Sequence, residues 1–147
     1  MSQRRTDPND THLNRLLSRS FRADPEAPGR ARLALRALSG HLDPAISGDV
    51  RLLVSELVTN SLRHTGTAGI SLEVWASDET VRVEVTDEGR GFEPPRTPEP
   101  GQISGWGLFM VNRLADRWGV DTGAPTRVWF EFARPAAGGR GRREFFA

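Results

Sequence analysis

Cysteine is absent from this chain, which rules out disulfides, thiolate zinc sites and cysteine nucleophiles. Lysine is absent too, and all 20 basic residues are arginine. A Walker P-loop needs a lysine at the phosphates, and a eukaryotic-type protein kinase needs one on its third strand. A nucleotide handled by this chain is therefore handled by neither route. The bland explanation for arginine in place of lysine is codon bias, and the chemical exclusion holds either way. No apolar run approaches the roughly 18 residues of a membrane span. The polar start, MSQRRTDPND, lacks the apolar stretch of a secretory signal, so a cytoplasmic location is the default expectation. Strong charge is lacking as well: a net +1 gives no global pull toward nucleic acid or membrane.

What is present suits one globular domain. The 147 residues are enough for a single core and too few for two domains. With 27% charged and 37% apolar residues, the chain is too apolar to be disordered. Residues 1–17 mix polar types without sustained periodicity and read as a mobile arm, and residues 135–147, PAAGGRGRREFFA, read as a mobile tail. The Gly/Arg content of that tail admits RNA contact, although a solvated tail explains it as well.

Between them, residues 18–134 form the expected domain. A short strand is expected from Ser18 to Ala23. Asp24-Pro25 reads as an N-cap and first turn, opening a helix through Ala31, Leu35 and Leu38 to Gly40, with Pro28 drawing the true start later. A second helix is expected from Ser47 or Asp49, because Val50, Leu53, Val54, Leu57, Val58 and Leu62 recur at helical spacing. Ile70, Leu72, Val74 and then Val81, Val83, Val85 alternate with period two, giving two strands joined around Ser77 to Glu79. A Gly/Pro-rich loop follows from Glu88 to Ser104. A third helix is expected from Gly107 to Trp118, burying Leu108, Val111, Ala115 and Trp118. Two last strands are expected around Val120 and from Arg127 to Phe132. This order predicts an α+β fold, a two-layer sandwich with helices on one face of a mixed, mostly antiparallel sheet.

Three polar constellations interrupt this pattern. On the second helix, Glu56 and Asn60 stand four apart, on one face at the shoulder of the apolar stripe. They are either surface polars or a functional pair. In the second case Asn60 offers a neutral oxygen to Mg²⁺, and Glu56 accepts a proton from an attacking hydroxyl. Directly after an alternating strand comes TDEGRGF, with Asp87, Gly89 and Gly91. A glycine turn explains it, and so does a pocket in which a strand-end carboxylate accepts the exocyclic amine of adenine. Such a pocket prefers ATP to GTP. In SGWGLFMV, Gly105 and Gly107 precede a helix whose apolar face starts at Leu108, and bare amides at a helix start suit phosphates.

Taken together, E-x-x-x-N on a helix, D-x-G-x-G after a strand and G-x-G-L opening a helix resemble the sequence boxes of the GHKL ATPase superfamily. SELVTNSLRH, DEGRGF, GWGLFMVNRLADRWG and TRVWFEF are most similar to the bacterial anti-sigma-factor serine kinases, over about Phe21 to Arg134. The resemblance implies a Bergerat ATP-binding fold whose segment Glu93 to Ser104 is a lid over the nucleotide. It implies Asn60 as the Mg²⁺ ligand, Glu56 as general base and Asp87 as the adenine contact. Gly89 and Gly91 would shape the adenine pocket, Gly105, Gly107 and Leu108 the phosphate end, and Thr126 would help bind adenine through Asp87. His64 follows Asn60 by one turn, beside the site or simply solvated. Where some relatives that transfer phosphate carry a basic lid residue, this chain has Ile103, and the nearest lid arginine is Arg96.

The implied function is a regulator that sequesters a sigma factor and uses Mg-ATP to phosphorylate a Ser or Thr of a STAS-type anti-sigma-factor antagonist. Homodimers are common among such proteins. The alternative is an ATP-dependent binding module that moves no phosphate, which Ile103 favours and Glu56 opposes. The ATPase half of a sensor histidine kinase ranks last, because His12 and His41 are poor phosphoacceptors and no span or dimerisation helix accompanies them.

Overall fold

The structure, a computed structural model, describes residues 13–64, 69–87, 107–121 and 125–135. The elements run β1 (Asn14–Arg22), α1 (Ala27–Arg36), α2 (Pro44–His64), β2 (Gly69–Ala76), β3 (Thr80–Asp87), α3 (Gly107–Leu114), β4 (Arg117–Asp121) and β5 (Thr126–Ala133). The strands form one sheet in the order β1-β2-β3-β5-β4, antiparallel at every pairing.

Period-two burial fixes the layers. Ile70, Leu72 and Val74 on β2, Val81, Val83 and Val85 on β3, and Val128, Phe130 and Phe132 on β5 all turn to one buried face. The β2–β3 hairpin is held by Ser77, whose Oγ accepts the backbone N–H of Glu79 at 3.2 Å and of Thr80 at 3.1 Å. Helix α2 answers with Val50, Leu53, Val54 and Val58, each fully buried, and α1 adds Ala27, Ala31 and Leu35. The other sheet face carries charge. Arg82 pairs with Glu84 at 3.0 Å and Glu131 at 2.8 Å while its guanidinium lies 4.2 Å over the Trp129 ring.

Several element boundaries differ from expectation. α1 ends at Arg36 rather than Gly40: just beyond it, the N–H groups of Leu38 and Ser39 bond three residues back to the Leu35 and Arg36 carbonyls and tighten the chain into turns. Four others differ for local reasons. β1 begins at Asn14 rather than Ser18, because this edge strand is charged and a bulge between Arg15 and Leu17 breaks its alternation. Asp24 does not cap α1. Its Oδ1 accepts the N–H of Glu26 at 2.9 Å and its carboxylate holds Arg30, so the chain turns once more and the helix opens at Ala27 with Pro28 in its first turn. α2 starts at Pro44, where a missing N–H costs nothing. α3 stops at Leu114, and Trp118 belongs to β4. The N–H of Asp116 donates to the Glu131 carbonyl at 2.9 Å, pulling the chain into the sheet, where Trp118 pairs with Phe130.

Candidate nucleotide site

The same periodicity that builds the core delivers its polar exceptions to one place. Alternation on β3 buries Val81, Val83 and Val85, and one step further it turns Asp87 to the same side, leaving it 5% exposed. On β5 the alternation that buries Val128 and Phe130 turns Thr126 inward at 2% exposure. The register then sets Asp87 directly opposite Thr126. From above, α2 contributes Leu57, Asn60 and Ser61, spaced so that the three overhang the end of this strand pair. Leu57, Asn60, Ser61, Val85, Asp87, Thr126 and Val128 line one narrow recess, apolar walls around a carboxylate, a carboxamide and two hydroxyls.

The tie across the recess is a hydrogen bond from Ser61 Oγ to Asp87 Oδ2 at 3.0 Å, and the same Oγ lies 3.1 Å from the Leu57 carbonyl. Ser61 was missed by sequence reasoning. Its signal was a polar residue at position 61, one turn after Leu57 on the buried stripe of α2, where the helix otherwise carries apolar residues.

The other expected site residues fall into two groups. Glu56 is half-buried one turn before Asn60 on α2 and does not line the recess. Gly107 opens α3 as expected, and the Leu108 side chain is buried in the hydrophobic core. Gly89, Gly91, Gly105, the expected lid from Glu93 to Ser104 with Arg96 and Ile103, and the His64 side chain lie outside the described residues. On the opposite, charged face of the sheet, burial works against the charge of Arg127. Its hydrogen bond to Asp121 and the nearby Glu84 carboxylate outweigh that and raise its pKa above the ordinary arginine value.

A second and larger cleft, of about 460 Å³, opens on the outside of the helix layer between α1 and α2. It is lined by Gly29, Arg32, Leu33, Arg36, Arg51, Leu52 and Ser55. Its lining offers three arginines and one serine and no carboxylate or carboxamide, and Arg32 already donates to Ser55 Oγ.

Known proteins share this architecture. The profile of the histidine kinase-like ATPase domain matches residues 21–132, from the end of β1 through nearly all of β5. The chain belongs to the histidine kinase-like ATPase domain family. Membership implies ATP binding. Among relatives, the chain is 42% identical over 77 residues to an anti-sigma F factor of Clostridium botulinum (strain Eklund 17B / Type B), covering 48% of this chain and 54% of that protein. It is 31% identical over 122 residues to an anti-sigma F factor of Clostridium beijerinckii, covering 72% of this chain and 84% of that one. The match thus spans about half the length of the Clostridium botulinum relatives. Among solved structures, the blue-light activated histidine kinase of Erythrobacter litoralis EL346 superposes with a TM-score of 0.51 at 26% identity, over 71% of this chain and 39% of that one. Among the described residues, no helix is long and apolar enough to cross a membrane.

Proposed function

We propose that this chain is a cytoplasmic serine/threonine kinase of the anti-sigma-factor type, which phosphorylates a STAS-type antagonist and sequesters a sigma factor. The observation that carries the reading is the meeting of Asn60, Asp87 and Thr126 in one recess, which their distance in sequence does not require. In this reading the adenine amine donates to Asp87 among the apolar walls of Leu57, Val85 and Val128. Asn60, half-buried in the wall of the recess, suits Mg²⁺, a hard cation that takes a neutral oxygen alongside phosphate oxygens and water. When bound, the ion supplies positive charge at the phosphates. Glu56, one turn away on the same rigid helix, takes the proton of the partner's hydroxyl as its oxygen attacks the terminal phosphorus and ADP leaves.

The cleft between α1 and α2 supports the partner half of the reading. Arg32, Arg36 and Arg51 line it, no carboxylate does, and Leu33 and Leu52 are 65% and 42% exposed. Cations around exposed leucines fit an acidic, partly apolar protein segment, and we assign the sigma factor to this face, in a homodimer with one such cleft on each copy.

The test is single-turnover phosphorylation of candidate STAS proteins by the full-length chain at saturating Mg-ATP. Label should appear on a serine or threonine. Glu56→Gln should lower its rate by about 10²–10⁴-fold while ATP affinity holds, as expected for a positioned base. Wild-type protein that binds ATP and labels no STAS partner refutes the kinase reading.

A further inference from the structure

Position 61 of α2 lies among buried residues, with Leu57 one turn before it and Ser61 itself 8% exposed. Alanine satisfies such a packing position and is the better helix former. Serine adds one hydroxyl, and that hydroxyl is placed 3.0 Å from Asp87 Oδ2 and 3.1 Å from the Leu57 carbonyl oxygen.

We infer that Ser61 is a positioning residue for purine selection, fixing the orientation in which the Asp87 carboxylate meets the base. The inference rests on the reading of Asp87 as the adenine acceptor. The terminal torsion of an aspartate is broad and roughly two-fold, so a carboxylate at a strand end turns readily unless something holds one of its oxygens. Ser61 holds Oδ2. Its single hydroxyl proton lies between Oδ2 and the Leu57 carbonyl oxygen, the competing acceptor at 3.1 Å, and the charged carboxylate is the stronger of the two. The plane of the carboxylate is thereby set relative to the β3–β5 pair, where Thr126 faces Asp87.

Orientation matters because the discrimination is directional. The 6-amine of adenine donates and the 6-oxo group of guanine accepts. A carboxylate oxygen aimed at that edge rewards the first and repels the second, whereas one that swings away does neither. Ser61 touches no nucleotide in this account. It acts through Asp87.

The experiment uses the full-length chain and two Mg-nucleotides, ATP and purine riboside triphosphate, which is ATP without the 6-amine. Calorimetric titration of wild type should show a preference for ATP. Ser61→Ala should weaken ATP binding by roughly tenfold or more, the usual weight of a hydrogen bond to a charged group. It should leave the amine-free nucleotide nearly unchanged, so that the preference collapses. In an Asp87→Ala background the same substitution should do nothing further, because the two residues act as one unit. Should Ser61→Ala unfold at the working temperature, Ser61→Cys carries the test with a weaker donor and a smaller shift. Equal losses for both nucleotides, an unchanged preference, or additive losses in the double variant overturn the inference and leave Asp87 as the adenine contact. A wild type that binds both nucleotides equally overturns the reading of Asp87 and the inference with it.

Discussion

Replacing Asp87 with alanine removes a carboxylate that is 5% exposed and accepts a hydrogen bond from Ser61 at 3.0 Å. Its consequences for fold and for binding should separate. On the fold side, Ser61 keeps the Leu57 carbonyl as an acceptor at 3.1 Å, so no hydroxyl is orphaned there. Removal also relieves the desolvation of a buried carboxylate, which offsets the lost bond. The expected cost in stability is below about 1.5 kcal/mol, read by urea unfolding. On the binding side, the adenine amine loses a charged acceptor inside apolar walls. That is worth about 1.5–3 kcal/mol, or roughly 10- to 150-fold in affinity. Calorimetric titration with Mg-ATP measures it. An Asp87→Ala chain that folds and binds ATP as tightly as wild type refutes the assignment of the recess to adenine.

Asn60→Ala should weaken binding of Mg-ATP with little loss of stability, since residue 60 is half-buried at the border of the α2 stripe and alanine suits a helix; equal ATP affinities for the two proteins in magnesium would remove Asn60 from the site. Gly119→Ala should destabilise the sheet by about 1–3 kcal/mol, because a Cβ there meets the Trp129 ring at 2.6 Å while Arg82 stacks 4.2 Å away on that ring. Tryptophan fluorescence during urea unfolding reads both the shift in midpoint and the displaced indole. The hydrogen bond from Arg30, with the Glu26 amide and the nearby positive charge, holds the Asp24 carboxyl below the ordinary aspartate value. A depressed folded value means that its contribution is present above an unfolded pKa of about 3.9 and is lost as pH falls through the lower, folded one. Wild type should therefore exceed Asp24→Asn in thermal stability at neutral pH and lose that margin in acid.

The fold was legible where one period governed a whole element. Strict alternation in β2 and β3 and the helical stripe from Val50 to Leu62 marked those three elements, because their burial is one-sided and uninterrupted. Boundaries were harder to read where tertiary bonds override local signals. Asp24 looks like a cap in sequence and is a turn residue in space, since Arg30 competes for its carboxylate. Trp118 continues a helical pattern, yet the backbone bond from Asp116 to Glu131 ends the helix before it. At the recess, Asn60 and Asp87 were visible as polar residues at defined element positions, whereas Thr126 was marked only by the family resemblance. Ser61 was not visible, because a lone serine in an apolar stripe carries no motif, and its meaning depends on a carboxylate 26 residues away. The arginine and leucine cleft was invisible for a related reason. Its walls come from two helices whose packing angle and register decide which outward residues face one another.

The central claim is that the recess between α2 and the β3–β5 strand pair binds adenine nucleotide by reading its amine. The most direct measurement is calorimetric titration of the unaltered full-length chain with Mg-ATP and, separately, with Mg-GTP. Saturable binding of ATP at one site per chain, with GTP weaker by roughly tenfold or more, is the result the buried Asp87 carboxylate predicts. No binding of ATP, or equal affinity for the two nucleotides, contradicts it.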